Sequence, residues 1–476
     1  MSYQAASDAR AARATGDPPP RTGRGLELAM LLLAVVAVTA ADAIVDLNTR
    51  NHVGTDVITY GAGFALLWLA AHIVVRILAP YADPLLLPCI ALLNGLGLVL
   101  IRRLDVAAVQ RAQQNGGPAP RGDASVQIVW TGLGLALFIA TLVIIRNHKT
   151  LARYAYTLAF AGLLFLALPA LLPSRYSEVN GAKIWLKAPG FSIQPGEFAK
   201  LALLVFFAAF LVDKRDVLSL ASRRFAGIDL PRGRDLGPVI VAWAASVLVL
   251  VGERDLGSSL LFFGIFVVML YIATERTSWL LIGVLLFIAG AFVAYHSFSH
   301  VQTRVEFWLH PFAHRADATQ ILQSQFGLAT GGLFGTGLGH GHPELVPFAK
   351  TDFIVSAVGE ELGMFGLVAV LMVYAIVVER GFRTALLVRD SFGKLLAAGL
   401  AFSLAWQVFV VVGGVTKLIP LTGLTTPFLS YGGSSLVANF ALVGLLLRVS
   451  DGARRPAAPP TPKPPLQEAV TEVVKP

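Results

Sequence analysis

Charged residues are scarce in this chain, so those placed beside long apolar runs are the first candidates for chemistry. The stretch KTDFIVSAVGEELGMFG, residues 350–366, carries Asp352 at the mouth of an apolar segment and Glu360 and Glu361 inside it. An ionisable group within a membrane span is costly, and it persists mainly where it lines a polar cavity or takes part in a reaction. Asp352 could exchange a proton with a substrate at the membrane surface. Its blander role would be to cap the helix that follows. Glu360 and Glu361 fall on the order of 12 Å deeper, at about 1.5 Å per helical residue. There they either line a path or bond polar groups of neighbouring helices.

A second group sits in SEVNGAKIWLKAPGFSIQPGEFAKL, residues 177–201. Lys183 and Lys187 can offer ammonium groups to an anion, and Trp185 suits the headgroup level. Pro195 and Glu197 fit the first turn of a helix, the latter favoured by the helix dipole. Arg304, His310 and Lys350 belong to the same long loop as Asp352. Arg304 could grip phosphate in a forked manner, Lys350 as a point charge. Ser430, in SYGGSS, has no obvious base beside it, and that motif reads as small residues for close packing. The run GLFGTGLGHG at 332–341 looks like a nucleotide loop but lacks the Lys-Ser/Thr and the preceding strand. His340, His342 and Glu344 have a spacing that could hold a metal, although a solvated loop is the better reading.

The elements that must position these residues are membrane helices. The chain is 55% hydrophobic and 14% charged, with mean hydropathy +0.69. A soluble protein carries roughly a quarter of its residues charged. Runs long enough to cross a bilayer recur about twelve times: 26–46, 56–78, 82–101, 125–145, 151–173, 197–212, 235–252, 256–274, 278–298, 353–378, 394–416 and 428–448. The fold class is therefore all-α, a polytopic helical bundle. Basic clusters at Arg10–Arg24, Arg146–Arg153, Lys214–Arg234, Arg380–Lys394 and Arg448–Arg455 put both termini in the cytoplasm by the positive-inside rule. Arg102 and Arg103 fall in an outer loop on this reading. Ala41-Asp42-Ala43 has the look of a signal-peptidase site, but the preceding polar stretch is long for a signal peptide, which favours an anchor. The net charge of +9 is mostly topogenic, with no patch suited to nucleic acid. The single cysteine, Cys89, reads as a small buried apolar residue. Residues 1–25 read as a disordered arm and 451–476 as a Pro-rich tail. The long loop 299–352 is expected to hold short helices at the membrane surface.

Seven motifs recur in an order that resembles a known family. They are NGAKIWL with QPGEFAKL, RDLGSSLLF, RVEFWLHP, QSQFGLATGGLFGTGLG, KTDFIVSAVGEELG and PLTGLTTPFLSYGGSS. Together they resemble the SEDS family (shape, elongation, division and sporulation) of the RodA/FtsW type, over about residues 82–448. The RodA-like branch is favoured because PLTGLTTP lacks the Lys that division members tend to carry beside that glycine. The resemblance implies a ten-helix core over 82–450, preceded by two extra helices over 26–81. It further implies an inverting peptidoglycan glycosyltransferase that polymerises lipid II at the outer face of the cytoplasmic membrane, together with a class B penicillin-binding protein. Asp352 matches the family's essential acid. Lys183 stands where the family usually has Arg, Glu253-Arg254-Asp255 where it has QPD, and Lys350 where His is usual, so no imidazole is available at 350.

On this resemblance Asp352 is the expected general base. Lys183, Arg304, Lys187 and Lys350 are the expected partners of the substrate diphosphate, with Trp185, Glu360, Glu361 and Ser430 as further substrate contacts. No cofactor is required by the sequence; a divalent cation is compatible with it, but no ligand set demands one. The rival readings are a lipid II flippase, which would need Glu360 and Glu361 most, and a non-catalytic scaffold, which would need none of these residues.

Overall fold

The computed structural model describes residues 22–456, apart from 180, 181, 189, 190, 219, 220, 226, 227, 316 and most of 232–254. Most of the arm and tail expected at the two ends, and most of the span expected at 235–252, therefore lie outside the described residues. Among the described residues ten helices are long and apolar enough to cross a membrane, and an eleventh, Ala155–Leu171, is shorter. In chain order the helices longer than one turn are α1 (Arg24–Arg50), α2 (Thr55–Leu78), α3 (Leu86–Gln114), α4 (Asp123–Ile144), α5 (Ala155–Leu171), α6 (Pro195–Leu218), α7 (Leu256–Thr274) and α8 (Ser278–Ser297). Two short helices follow, α9 (Ser299–Leu309) and α10 (Thr319–Gly331). They occupy the loop expected to hold such elements. The last three are α11 (Ile354–Leu387), α12 (Ser391–Val415) and α13 (Gly433–Arg454).

Burial sorts these helices into a centre and a rim. α3 and α13 are buried nearly all round, with Leu93, Ile101, Phe440, Leu442 and Leu447 almost wholly covered. α13 packs on α4, α6 and α11, while α3 packs on α1, α4 and α11. The rim helices keep one apolar face open: Leu33, Ile58, Val129, Phe160 and Ile288 are exposed. In water such faces would be a liability, but in a bilayer they meet lipid tails. Cys89 is buried within α3, as its character suggests.

The two extra helices are tied to the centre by buried charge. Arg102 on α3 donates to Asp42 at 2.6 Å and Asp46 at 2.9 Å on α1. Glu27 on α1 takes His72 of α2 at 2.6 Å and is also bonded by Arg24. This corrects the assignment of Arg102 and Arg103 to an outer loop. α3 runs on to Gln114, and both arginines lie buried in it because acids on α1, on α11 and in the loop after α10 compensate them.

α11 is broken where it passes the glycine-rich run. Gly363 has φ 69° and ψ −172°, a conformation open to glycine alone. The groups freed at the break bond to 332–337: Met364 N to Gly332 O at 2.9 Å, Phe365 N to Leu333 O at 3.1 Å, and Thr336 N to Glu360 O at 3.0 Å. A Cβ on Gly335 would come within 2.3 Å of Glu361 O. Glycines in GLFGTGLGHG thus let one backbone splice into a broken membrane helix, whose freed polar groups must find protein partners.

Candidate active site

Asp352 stands just before α11 without serving it as a cap. The N-cap is Phe353, and no side chain caps that end. Asp352 is partly exposed. Burial pushes its carboxyl up to about 6, Arg304 and a hydrogen bond from Thr351 pull it down, and Asp255 pushes it further up. Asp255 is the contrasting acid. It caps α7, accepting from Gly257 N at 2.9 Å and Ser258 N at 3.3 Å, and it also holds the Ser258 hydroxyl.

Arg304 is carried by α9, which docks onto the loop between α12 and α13. Its Nη1 donates to Leu421 O at 2.6 Å, and Trp308 Nε1 donates to Lys417 O at 2.9 Å. Between Arg304 and Asp352 sits Gly423, at φ 80°. A Cβ there would lie 3.6 Å from Arg304 Nη2 and 3.8 Å from Asp352 Oδ2. The missing side chain leaves a gap with a cation on one side and a carboxylate on the other.

The loop that supplies Gly423 also fixes the backbone of Asp352. Ser430 Oγ donates to Thr351 O at 2.6 Å and accepts from Thr426 N at 2.9 Å. Tyr431 N donates to Lys350 O at 2.7 Å. Ser430 is buried, so hydrogen bonding rather than close packing is what the structure assigns to it. Lys350 Nζ bonds Asp105 and, at 2.7 Å, Asp123. It faces a cavity of about 650 Å³ also lined by Arg111, Glu344, Thr351 and Tyr431.

Glu360 and Glu361 are held by other parts of the scaffold. Glu361 Oε1 accepts from Arg103 Nε at 2.8 Å, and Glu360 Oε1 accepts from His342 N at 2.6 Å. Glu344, also bonded by Arg103 at 3.3 Å, joins the same cluster. Lys183 and Lys187 lie on two small hairpins, β1–β2 (Glu178–Val179 with Ala182–Lys183) and β3–β4 (Leu186–Ala188 with Phe191–Ile193). Lys187 donates to Glu178 O, and Trp185 N donates to Ser177 O at 3.1 Å. Among the described residues no hydrogen bond or ion pair joins these lysines to Asp352. The hairpins are anchored to α13, since Gln194 N donates to Ser434 Oγ at 2.9 Å.

Two groups near the site escaped the sequence reading. Lys200, buried in α6, bridges Glu197 at 2.8 Å and Gln407 at 2.9 Å, and Gln407 in turn holds Thr425 O at 3.0 Å. An acid and a lysine three apart in an apolar helix were the available signal. Asp255 was visible only as a place in a motif. Among the described residues no group of three or more His, Cys, Asp or Glu side chains is arranged to hold a metal ion.

The family model for the cell cycle proteins FtsW, RodA and SpoVE matches residues 84–455. The chain belongs to that family. Peptidoglycan glycosyltransferase RodA of Mycobacterium tuberculosis is 54% identical over 461 residues, 96% of this chain and 97% of that protein. The RodA of Mycobacterium leprae is 50% identical over 97% of this chain and 98% of its own length. A probable peptidoglycan glycosyltransferase FtsW of a Geobacter species is 32% identical over 78% of this chain and 97% of its own. Among solved FtsW/RodA/SpoVE-like structures, Thermus thermophilus RodA superposes with a TM-score of 0.54 at 26% identity, covering 78% of this chain and 96% of that one. A chain of a peptidoglycan synthase complex that coordinates polymerization and crosslinking reaches 0.61 at 28% identity, with 78% and 98% covered. The family match begins at residue 84, so α1 and α2 lie outside it. The mycobacterial RodA proteins match over nearly the whole chain.

Proposed function

We propose that the chain is a peptidoglycan glycosyltransferase that polymerises lipid II at the outer face of the cytoplasmic membrane, with Asp352 as general base. Asp352 takes the proton from the acceptor sugar hydroxyl as that oxygen attacks the anomeric carbon of the donor. The bond from that carbon to the lipid diphosphate breaks, and the diphosphate leaves with the electron pair. One displacement inverts the anomeric centre. A diphosphate is already a good leaving group, so a single carboxylate serves where glycoside hydrolases use two.

The observation that carries this reading is a carboxylate without a structural task. Asp352 caps nothing, is raised to about 6, and faces Arg304 across the gap at Gly423. A base held near 6 is mostly ionised at neutral pH yet still basic enough to accept a proton in the transition state. Arg304 stands where it can stabilise charge developing on the diphosphate. Lys183 and Lys187 supply further positive charge from the hairpins. A class B penicillin-binding protein is the partner expected to crosslink the product, in keeping with the synthase complex among the structural neighbours.

Lipid II polymerisation by the purified protein with its transpeptidase, wild type against Asp352→Asn, tests the assignment. Glycan ladders from wild type and none from a folded variant are the expected result. Equal ladders would remove Asp352 from catalysis. No ladder from either, with lipid II crossing the bilayer instead, would make the chain a flippase.

A further inference from the structure

At the membrane face opposite Asp352, three connections converge on a cavity of about 340 Å³. They are the α4–α5 link, the α11–α12 link and the end of α13. Arg146, Lys149, Arg389, Arg448 and Arg455 line it, against only two carboxylates, Asp390 and Asp451. Five cations and two acids leave an excess of three positive charges around one cavity, with His148 taken as neutral.

Both acids are already engaged. Asp390 accepts from His148 Nε2 at 2.9 Å and caps α12 through Gly393 N at 2.8 Å. Asp451 accepts from Tyr81 N at 3.0 Å and from Arg455 at 2.9 Å. The side chains of Arg146 and Arg389 make no hydrogen bond or ion pair among the described residues. Arg448 is 5% exposed; its Nη atoms donate to Leu78 O at 2.8 Å and to Leu142 O, and only its Nε is left buried without a partner. The positive-inside rule accounts for basic residues on this face. It does not account for their meeting around a recess with unused donors.

Apolar surface adjoins the recess. Ile144, two residues before Arg146, is 78% exposed, and Leu386, three before Arg389, is 83% exposed. Such side chains belong in the hydrocarbon. A ligand in the cavity would therefore meet cations at its head and lipid-facing helices at its tail. Basic pockets between transmembrane helices on the cytoplasmic side suit anionic lipid headgroups.

From this geometry we infer that the cavity binds the phosphate headgroup of an anionic phospholipid of the inner leaflet, such as phosphatidylglycerol. The phosphodiester sits among Arg146, Arg389 and the Arg448 edge, and its acyl chains lie along the ends of α4 and α11. This site is separate from the reaction at Asp352 and does not depend on it.

The test uses the full-length protein, delipidated and returned to phosphatidylcholine nanodiscs, with binding read by native mass spectrometry and by thermal shift. Phosphatidylglycerol should be retained and should raise the melting temperature, while added phosphatidylcholine should do neither. The double variant Arg146→Ala/Arg389→Ala should weaken phosphatidylglycerol binding on the order of tenfold to thirtyfold. Neither arginine has a structural partner, so the variant should melt as wild type does in phosphatidylcholine. If the double variant fails to fold, Arg389→Gln alone should weaken binding about fivefold. Equal binding of the two lipids, or full phosphatidylglycerol binding by the variant, would overturn the inference. Inorganic phosphate that competes as well as the lipid would overturn it too, by assigning the cavity to a soluble anion.

Discussion

Asp352 and the pair Glu360 and Glu361 stand two helical turns apart on one segment and differ in what their oxygens touch. Glu361 is ion-paired with Arg103 of α3, and Glu360 receives the backbone N–H of His342. Both acids hold the glycine-rich run against the break in α11. Among the described residues the Asp352 carboxyl is influenced by hydrogen bonding from the adjacent Thr351 alone, and Arg304 faces it across a gap instead of closing on it. Carboxylates that bind the scaffold build the site. On the proposed reading, the one left with spare capacity, partly exposed at the membrane surface, is the one that exchanges a proton.

The contrast breaks first at Asp352. Asp352→Asn is expected to lower lipid II polymerisation by about 10²–10⁴-fold, the range for losing a general base. The same change removes a desolvated charge, so the melting temperature should stay level or rise. Arg103→Ala should act the other way. Stripping the partner from buried Glu361 is expected to cost roughly 3–5 kcal/mol of stability. Thermal unfolding and the yield of folded protein would read that loss, while turnover per folded molecule should stay within a few fold of wild type.

pH sharpens the same comparison. The Asp352 carboxyl is raised from 3.8 to about 6, so the folded protein holds its proton more tightly than the unfolded chain does. Its contribution to stability is present below about 4 and is lost as pH rises through about 6. Activity moves oppositely, since the base must be ionised. Polymerisation should therefore fall about tenfold per pH unit below 6, and a rate profile flat from 5 to 8 would count against the assignment. The smallest expected effect is at Ser430, which fixes the Thr351 carbonyl beside Asp352. Ser430→Ala should cost about 1 kcal/mol of stability and a few-fold in kcat, with KM little changed.

Much of this was legible in the residues. Helix existence followed from apolar run length, because a bilayer demands about 20 such residues in a row. Asp352 stood out because it opens the segment that also carries Glu360 and Glu361 and matches the acid of a family motif. What the sequence hid was pairing between distant helices. Nothing near Arg102 or Arg103 indicates that Asp42, Asp46 and Glu361 will meet them, so both looked like loop charges. The roles of Glu360 and Glu361 were equally hidden, because a buried acid reads the same whether its partner is a substrate or a backbone N–H. Gly423 carried no signal either. Its importance lies in where a tertiary turn places it, between a cation from α9 and the acid before α11.

The most direct test compares purified Asp352→Asn and Glu360→Gln side by side, measuring glycan formed from lipid II per folded molecule. The expected result is no detectable polymer from Asp352→Asn and near wild-type polymer from whatever Glu360→Gln folds. Polymer from Asp352→Asn with none from folded Glu360→Gln would contradict it, and would move the chemistry into the membrane.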